Sequence, residues 1–431
     1  MVKEYVEVCI VGGGIVGLMC ADALSQQGCS VRLVDRHYMG PQRGNVVAIT
    51  RHGHAAQATD FMQFSQKCWK ESMGQHAKDI GMVPLGSLQW ALTADEVEPL
   101  RAAQRADADA GFTSHFMDDR EAMASLLGGF NASESVLGCW LRTGDMALRS
   151  DQALDIIRQR LIRQGVRIWG ADDVCALLMN KEHICGVQNT QGDVCMAQHV
   201  VICAGAYTGA LLDTLGLHMR LRPARAHVME IEVHTPLPLP TIVQPYQEGV
   251  LRLQAINQQR ALLSYDGLMD PAQATYAAET DPEIEQFMLE QIACWADGLG
   301  QVRKIQSWVM LQSVTPDLAP VIGEVSSHPG LYVVAGLQAQ TYAYAAGAAR
   351  LICDAILDEQ QIPEALCQSV SPRRLLRGKW QPCVLSDLYP VLSTPVSSEP
   401  TEEDAPTEEH PPENATSAEG DTAEDAEDAT K

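Results

Sequence analysis

Val8-Cys9-Ile10-Val11-Gly12-Gly13-Gly14-Ile15-Val16-Gly17-Leu18-Met19-Cys20-Ala21 is the stretch that decides the fold. Val6 to Val11 is a short apolar run of strand length that stops at glycines. Ile15 to Gln27 then reads as a helix and Val31 to Asp35 as a second strand. Strand, glycine turn, helix and strand make a βαβ unit, which implies a parallel sheet. Gly12, Gly14 and Gly17 form Gly-x-Gly-x-x-Gly at the turn. The first glycine permits the tight turn, and the second lets the backbone approach a pyrophosphate. The third, with Ala21 four residues on, lets helix and sheet pack closely. The helix start at Ile15 and Val16 offers unpaired N–H groups and the positive end of a dipole to phosphates. Asp35 closes the second strand, where a carboxylate accepts hydrogen bonds from ribose hydroxyls; its neighbour Arg36 softens the exclusion of a 2′-phosphate. The motif therefore reads as a dinucleotide site, for FAD or NAD, without choosing between them.

Working outward, Phe61 to Lys78, Asp95 to Gly111 and Ser150 to Gly165 read as helices. In the last of these, Leu154, Ile157, Leu161 and Ile162 lie at helical spacing. Ser87 to Leu92 reads as a strand, and further strands follow near 166–169, 174–179, 184–190 and 199–203. Arg225 to Val233 and Arg260 to Tyr265 look like strands of a second, antiparallel region. Asp281 to Trp295 is helical, Gly330 to Ala335 is a strand, and a helix runs from about Tyr342 to Leu357. Elements of the first kind lie at both ends and in the middle, with the second kind between them. That order predicts two interleaved domains.

The chain has 431 residues, 46% of them hydrophobic, and a formal net charge of −24. Such a length suits two or three domains, and such an apolar fraction suits a sizeable core. From Glu399 to Lys431 there are 13 acidic residues and one lysine, so half the net charge sits on this terminal stretch. After Val396 no aromatic or large aliphatic residue occurs, which predicts a disordered, solvated tail. Arg373, Arg374, Arg377 and Lys379 precede it and could pair with the tail or with a partner. An acidic chain repels phosphate backbones, which argues against nucleic acid. No signal peptide is visible, and the apolar run after Val8 is too broken by glycines to span a membrane, so no transmembrane segment is expected. The 13 cysteines show no Cys-x-x-Cys pair and no zinc cadence, and His52 and His54 alone are a weak metal signal. We expect no metal site and a reducing, cytoplasmic setting.

Three further segments choose the cofactor. Val200-Val201-Ile202-Cys203-Ala204-Gly205-Ala206-Tyr207 is a strand running into Ala-Gly-Ala. Thr315-Pro316-Asp317-Leu318-Ala319-Pro320-Val321-Ile322-Gly323-Glu324 comes much later, followed by Gly330-Leu331-Tyr332-Val333-Val334-Ala335-Gly336 and a terminal helix. In this order and spacing, over roughly residues 5 to 360, the chain resembles the D-amino-acid oxidase and sarcosine oxidase superfamily, glycine oxidases and D-amino-acid dehydrogenases among them. The resemblance implies an α/β fold (α+β overall). A Rossmann-type FAD-binding domain (1–86, 145–219 and 308–365) would interleave with a mainly antiparallel β-sheet substrate domain (87–144 and 220–307). An extension (366–395) and a disordered acidic tail (396–431) would follow. FAD would lie with its pyrophosphate at Gly12 to Gly17 and its ribose at Asp35. The loop from Gly40 to Arg51, with Gly44 and Asn45, would run beside the flavin. Val174 would contact adenine, Ala204 and Gly205 would pass close to the cofactor, and Gly336 and the start of the last helix would face the flavin pyrimidine. The implied reaction removes a hydride from a C–H beside an amine nitrogen, and the imine then hydrolyses.

The sequence departs from this pattern in places. Where many amino-acid-oxidising relatives carry an arginine that grips the substrate carboxylate, this chain has Gln312. Where a Gly-His-Gly turn is common, it has Gln338-Ala339-Gln340-Thr341-Tyr342, and Met310 replaces the cysteine that tethers flavin in some members, so non-covalent FAD is expected. Arg51, Arg252 and Tyr246 join Gln312 as candidates for substrate contact. An amine or amino-acid substrate is the leading reading. A hydroxy acid, or a flavoprotein subunit or accessory protein with altered or lost catalysis, are the alternatives. The implied partners are the small-molecule substrate, an oxygen or quinone acceptor, and in the last reading a partner subunit; a quinone would suit peripheral attachment at the inner membrane. A flavin monooxygenase is disfavoured, because Ala204-Gly205 and Thr315-Pro316-Asp317 stand where that class has other motifs. Truncation after Val396 is expected to leave FAD binding intact, checked by the flavin absorbance retained by the shortened chain.

Overall fold

The computed structural model describes residues 3–36, 47–50, 56–170, 173–234, 237–238, 240–296, 299, 301–376 and 384–395. Two eight-stranded sheets organise them. In the first, the strand order is Val321–Glu324, Leu331–Ala335, Val194–Ile202, Lys3–Val11, Val31–Asp35 and Arg167–Gly170. Pairing is parallel except at Val321–Glu324, and an antiparallel meander, Val174–Asn180 and His183–Asn189, branches from Val194–Ile202. Val8, Cys9 and Ile10 have no exposed surface, as expected of a strand covered on both faces.

The first helix, Ile15–Gln26, buries nearly all of its circumference. It lies among the sheet, helix Ser150–Arg163 and helix Thr341–Leu357. Asp22, 3% exposed within that contact, is neutralised by Arg160 at 2.9 Å. Helix Thr59–Met73 reaches helix Thr341–Leu357 at Gly347, whose N–H donates to Ser65 Oγ at 2.8 Å and whose Cβ, if it had one, would meet Ser65 Cβ at 2.7 Å. That helix ends at Met73 and not at Lys78, because Gly74 opens a short 3₁₀ turn.

The second sheet runs Arg303–Val314, Arg222–Glu232, Arg260–Asp266, Val250–Ala255, Thr241–Pro245, Ser87–Ala91, Gly138–Arg142 and Ser114–Met117. It is antiparallel except where Thr241–Pro245 meets Ser87–Ala91. The strand Arg303–Val314 crosses residue 308 and pairs with Arg222–Glu232 along its length. One face packs Met229, Ile231, Leu251 and Leu263 against Met288, Ile292 and Trp295 of helix Pro282–Ala293 and the residues after it. The other face is covered by the extension: Leu385 and Tyr389 pack on Ala224, Val243 and Val250. Ser393 N–H donates to Pro245 O at 2.9 Å, and Gln244 Nε2 donates to Ser393 Oγ at 2.6 Å.

Arg374 is committed inside the fold and is not free for the tail. It binds Asp317 at 2.6 Å and donates to the carbonyls of Ala319 and Pro320, each at 2.6 Å. Burial pushes the Asp317 carboxyl up, but the Arg374 hydrogen bond and charge prevail and hold it below the usual carboxylate range. Arg377 and Lys379 lie outside the described residues.

Candidate functional site: a dinucleotide cleft between two sheets

Lys3–Val11 lies between Val194–Ile202 and Val31–Asp35, so the chain leaves it in opposite directions and a crevice opens at the carboxyl ends of these strands. A cleft of about 570 Å³ sits there, within the range of ligand sites. Its floor is the glycine turn. Gly12 takes φ +108°, and a Cβ on it would collide with the Cys203 carbonyl. Gly17 packs on the Gly12 carbonyl with no room for a side chain, whereas a Cβ on Gly14 would meet no protein atom within 4 Å. Packing thus explains Gly12 and Gly17, whereas a side chain at position 14 would enter open space. The first helix starts at Gly14 without a side-chain cap.

Gly12, Gly14, Ile15, Val16, Asp35, Arg36, Val174, Ala204 and Gly205 all line this cleft, together with Gln312, Gln338 and Thr341. Gly13 lines it too and was not singled out by the motif; a Cβ there would strike the Asp35 carboxylate at 2.7 Å. Gly17, Gly336, Ala339 and Gln340 are not among the cleft's lining residues. Gly336, at φ +68°, tucks against Thr315, and its N–H donates to Ser313 Oγ at 2.7 Å. Gly44, Asn45 and Arg51 lie outside the described residues.

The structure brings Tyr246 and Arg252 elsewhere. Tyr246 is 1% exposed on the helix-covered face of the second sheet and packs edge-on against Phe287. Arg252 lies on the opposite face, paired with buried Asp266 and beside Tyr389 of the extension. Burial is the larger influence on Asp266 and raises its pKa above the ordinary value.

At the far end of the cleft, two amides stand out. Gln312 and Gln338 are 8% and 7% exposed, and the Nε2 of each has no hydrogen-bond partner among the described residues. A buried amide donor without a partner costs free energy unless a ligand satisfies it. Gln338 also takes φ +50°, in a region where residues other than glycine are uncommon and which clusters at functional sites. Arg36 is the sole lysine or arginine among the described lining residues. Its hydrogen bond to Asp173 raises its pKa, and its guanidinium lies 4.2 Å from the Tyr207 ring centroid. Among the described residues no group of three metal-binding side chains converges, and no helix is long and apolar enough to cross a membrane.

The family model of FAD-dependent oxidoreductases matches residues 7–355, and the chain belongs to that family. A D-amino acid dehydrogenase of Methylobacterium nodulans is 26% identical over 264 residues, covering 60% of this chain and 58% of that one. The chain thus spans under two thirds of that relative's length. A D-amino acid dehydrogenase of Vibrio cholerae is 22% identical over 413 residues, covering 81% of this chain and 94% of the relative. The crystal structure of L-proline dehydrogenase from P. horikoshii superposes with a TM-score of 0.74 at 17% identity, over 86% of this chain and 98% of that one, and so shares the fold. The cofactor is FAD, and the residues present fit it: a glycine cradle at a helix start, a carboxylate at the second strand, and unpartnered amide donors at the opposite end.

Proposed function

We propose that the chain oxidises an amine or amino acid at a carbon–nitrogen bond, with FAD held non-covalently in this cleft. FAD, when bound, accepts the hydride of the substrate C–H, and the imine product then hydrolyses. The observation that carries the reading is the pair of buried amide donors, Gln312 and Gln338, at the end of the cleft away from Asp35. These residues orient whatever lies there by donating N–H bonds. Val309 and Leu311, from the edge strand of the second sheet, exclude water beside them. Arg51 is our candidate for the cation that faces a substrate carboxylate, by its place after the flavin-side loop. Oxygen or a quinone would serve as the electron acceptor.

The test is anaerobic mixing of the holoprotein with a panel of amines, amino acids of both hands and hydroxy acids, while following the visible absorbance of the flavin. Bleaching by an amine or amino acid without added NADH is expected. Bleaching by a hydroxy acid alone would move the reaction to the carbon–oxygen bond. Inertness to the whole panel, with a stoichiometric protein co-purifying, would favour a subunit role.

A further inference from the structure

Beside Asp35, at the end of the cleft where the ribose of a dinucleotide binds, three side chains from distant parts of the chain form a stack. Arg36 follows the second strand of the first sheet. Its guanidinium carbon lies 4.2 Å from the centroid of the Tyr207 ring and its Nε bonds Asp173. Tyr207 follows the Ala204-Gly205-Ala206 turn. Its ring stacks on Tyr276, centroids 5.2 Å apart and planes inclined by 20°. Tyr276 comes from the other sheet, in the loop between Arg260–Asp266 and helix Pro282–Ala293. That loop is anchored. Gln273, 2% exposed, accepts from Arg225 Nε at 2.9 Å and lies 3.2 Å from the His227 ring nitrogen, while its own Nε2 donates to Asp270 at 3.0 Å.

Arg36, Asp173, Tyr207 and Ala278, two residues beyond Tyr276, line the cleft. Tyr276 itself is 42% exposed and stands outside that lining, so its ring serves neither the core nor the cleft wall. The Arg36–Asp173 pair is also too exposed to hold much by charge. The stack of Tyr276 on Tyr207 joins the second-sheet loop to the mouth of the cleft, and the Arg36 guanidinium holds the Tyr207 ring from the first-sheet side.

We propose that Arg36, Tyr207 and Tyr276 form a clasp over the adenosine end of FAD, with Tyr276 acting as a positioning residue that slows cofactor release. The idea rests on FAD lying in this cleft with its ribose at Asp35. Opening that end requires the Tyr207–Tyr276 contact to part, so the barrier to release includes the loss of one aromatic pair.

The experiment is dilution of the holoenzyme with recovery of free-flavin fluorescence followed in time. Tyr276→Ala is expected to release FAD roughly three- to tenfold faster, the scale of one aromatic pair. Tyr276→Phe, which keeps the ring, is expected to release it at the wild-type rate. The visible bands of the bound flavin should stay in place in both, because the clasp is remote from the flavin ring. Equal release rates in wild type and Tyr276→Ala overturn the proposal. So does a failure of Tyr276→Phe to restore slow release, or a displaced flavin spectrum, which would put Tyr276 at the other end. A wild-type protein that retains no FAD would instead sink the cofactor assignment.

Discussion

Gly17→Ala should weaken FAD binding roughly a hundredfold, whereas Gly14→Ala should fold normally and still bind poorly. The two glycines fail for different reasons. A methyl on Gly17 meets the Gly12 carbonyl, a backbone atom that moves only if the turn moves. Overpacking of this kind costs about 1–3 kcal/mol of stability. It would also displace the helix start, and with it the N–H groups proposed to face the pyrophosphate. Losing two hydrogen bonds to a charged group, at about 1.5 kcal/mol each, gives about 3 kcal/mol. That corresponds to roughly a hundredfold in affinity. A methyl on Gly14 touches no protein atom within 4 Å, and φ there is −69°, open to any residue. Its thermal unfolding should stay close to wild type, within about 0.5 kcal/mol. Its affinity for FAD should nonetheless fall, because the methyl takes the space that the pyrophosphate needs. Titration by quenching of flavin fluorescence, alongside unfolding of each variant, separates the two cases. Tight FAD binding by Gly14→Ala would move the pyrophosphate away from this turn.

That contrast also marks what the sequence could and could not disclose. The βαβ unit is local: an apolar run, three glycines at fixed spacing and an acid at the next strand end fall within the first 35 residues, and the structure forms the strand, turn, helix and strand there, with Gly12, Gly14 and Asp35 lining the cleft. The motif treats position 13 as variable, yet Gly13 lines the cleft and a Cβ there would strike Asp35. Three strands of the second sheet carry weaker local signals. Ser114–Met117 and Gly138–Arg142 are four and five residues long, and Thr241–Pro245 is buried throughout and shows no alternation. Gly138–Arg142 pairs back with Ser87–Ala91, and Thr241–Pro245, besides its hairpin with Val250–Ala255, meets that same strand, so nothing in their neighbours announces these long-range pairings. Tyr246 reads from sequence as a candidate for substrate contact, and the covering helix places it in the core. The Arg36–Tyr207–Tyr276 stack is likewise invisible in one dimension, since its members meet only after both sheets have formed.

Asp266→Ala should destabilise the fold strongly, by about 3–5 kcal/mol. Arg252 and Asp266 face the side of the second sheet that the residues after Val384 cover, with side chains 16% and 1% exposed. Asp266 also accepts from the Val250 N–H at 3.0 Å, and Arg252 has Tyr389 beside it. Alternation along Val250–Ala255 separates this face from the other: Leu251 and Leu253 join the helix-covered core, and Arg252 points the opposite way. Removing the carboxylate strands a guanidinium under a hydrophobic cover, which costs about 3–5 kcal/mol. Replacing both partners by apolar residues of similar volume, Arg252→Met with Asp266→Leu, should recover most of that loss, since neither charge is then left buried alone. Urea unfolding of the single and double variants measures the difference. The same double variant decides whether Arg252 touches substrate. If the arginine serves only the fold, turnover and KM follow those of the wild type once stability is restored. A folded, FAD-loaded double variant with a KM raised severalfold for an amino acid, but not for an uncharged amine, would show that Arg252 leaves Asp266 to meet a carboxylate. The extension over it would then have to shift as substrate enters.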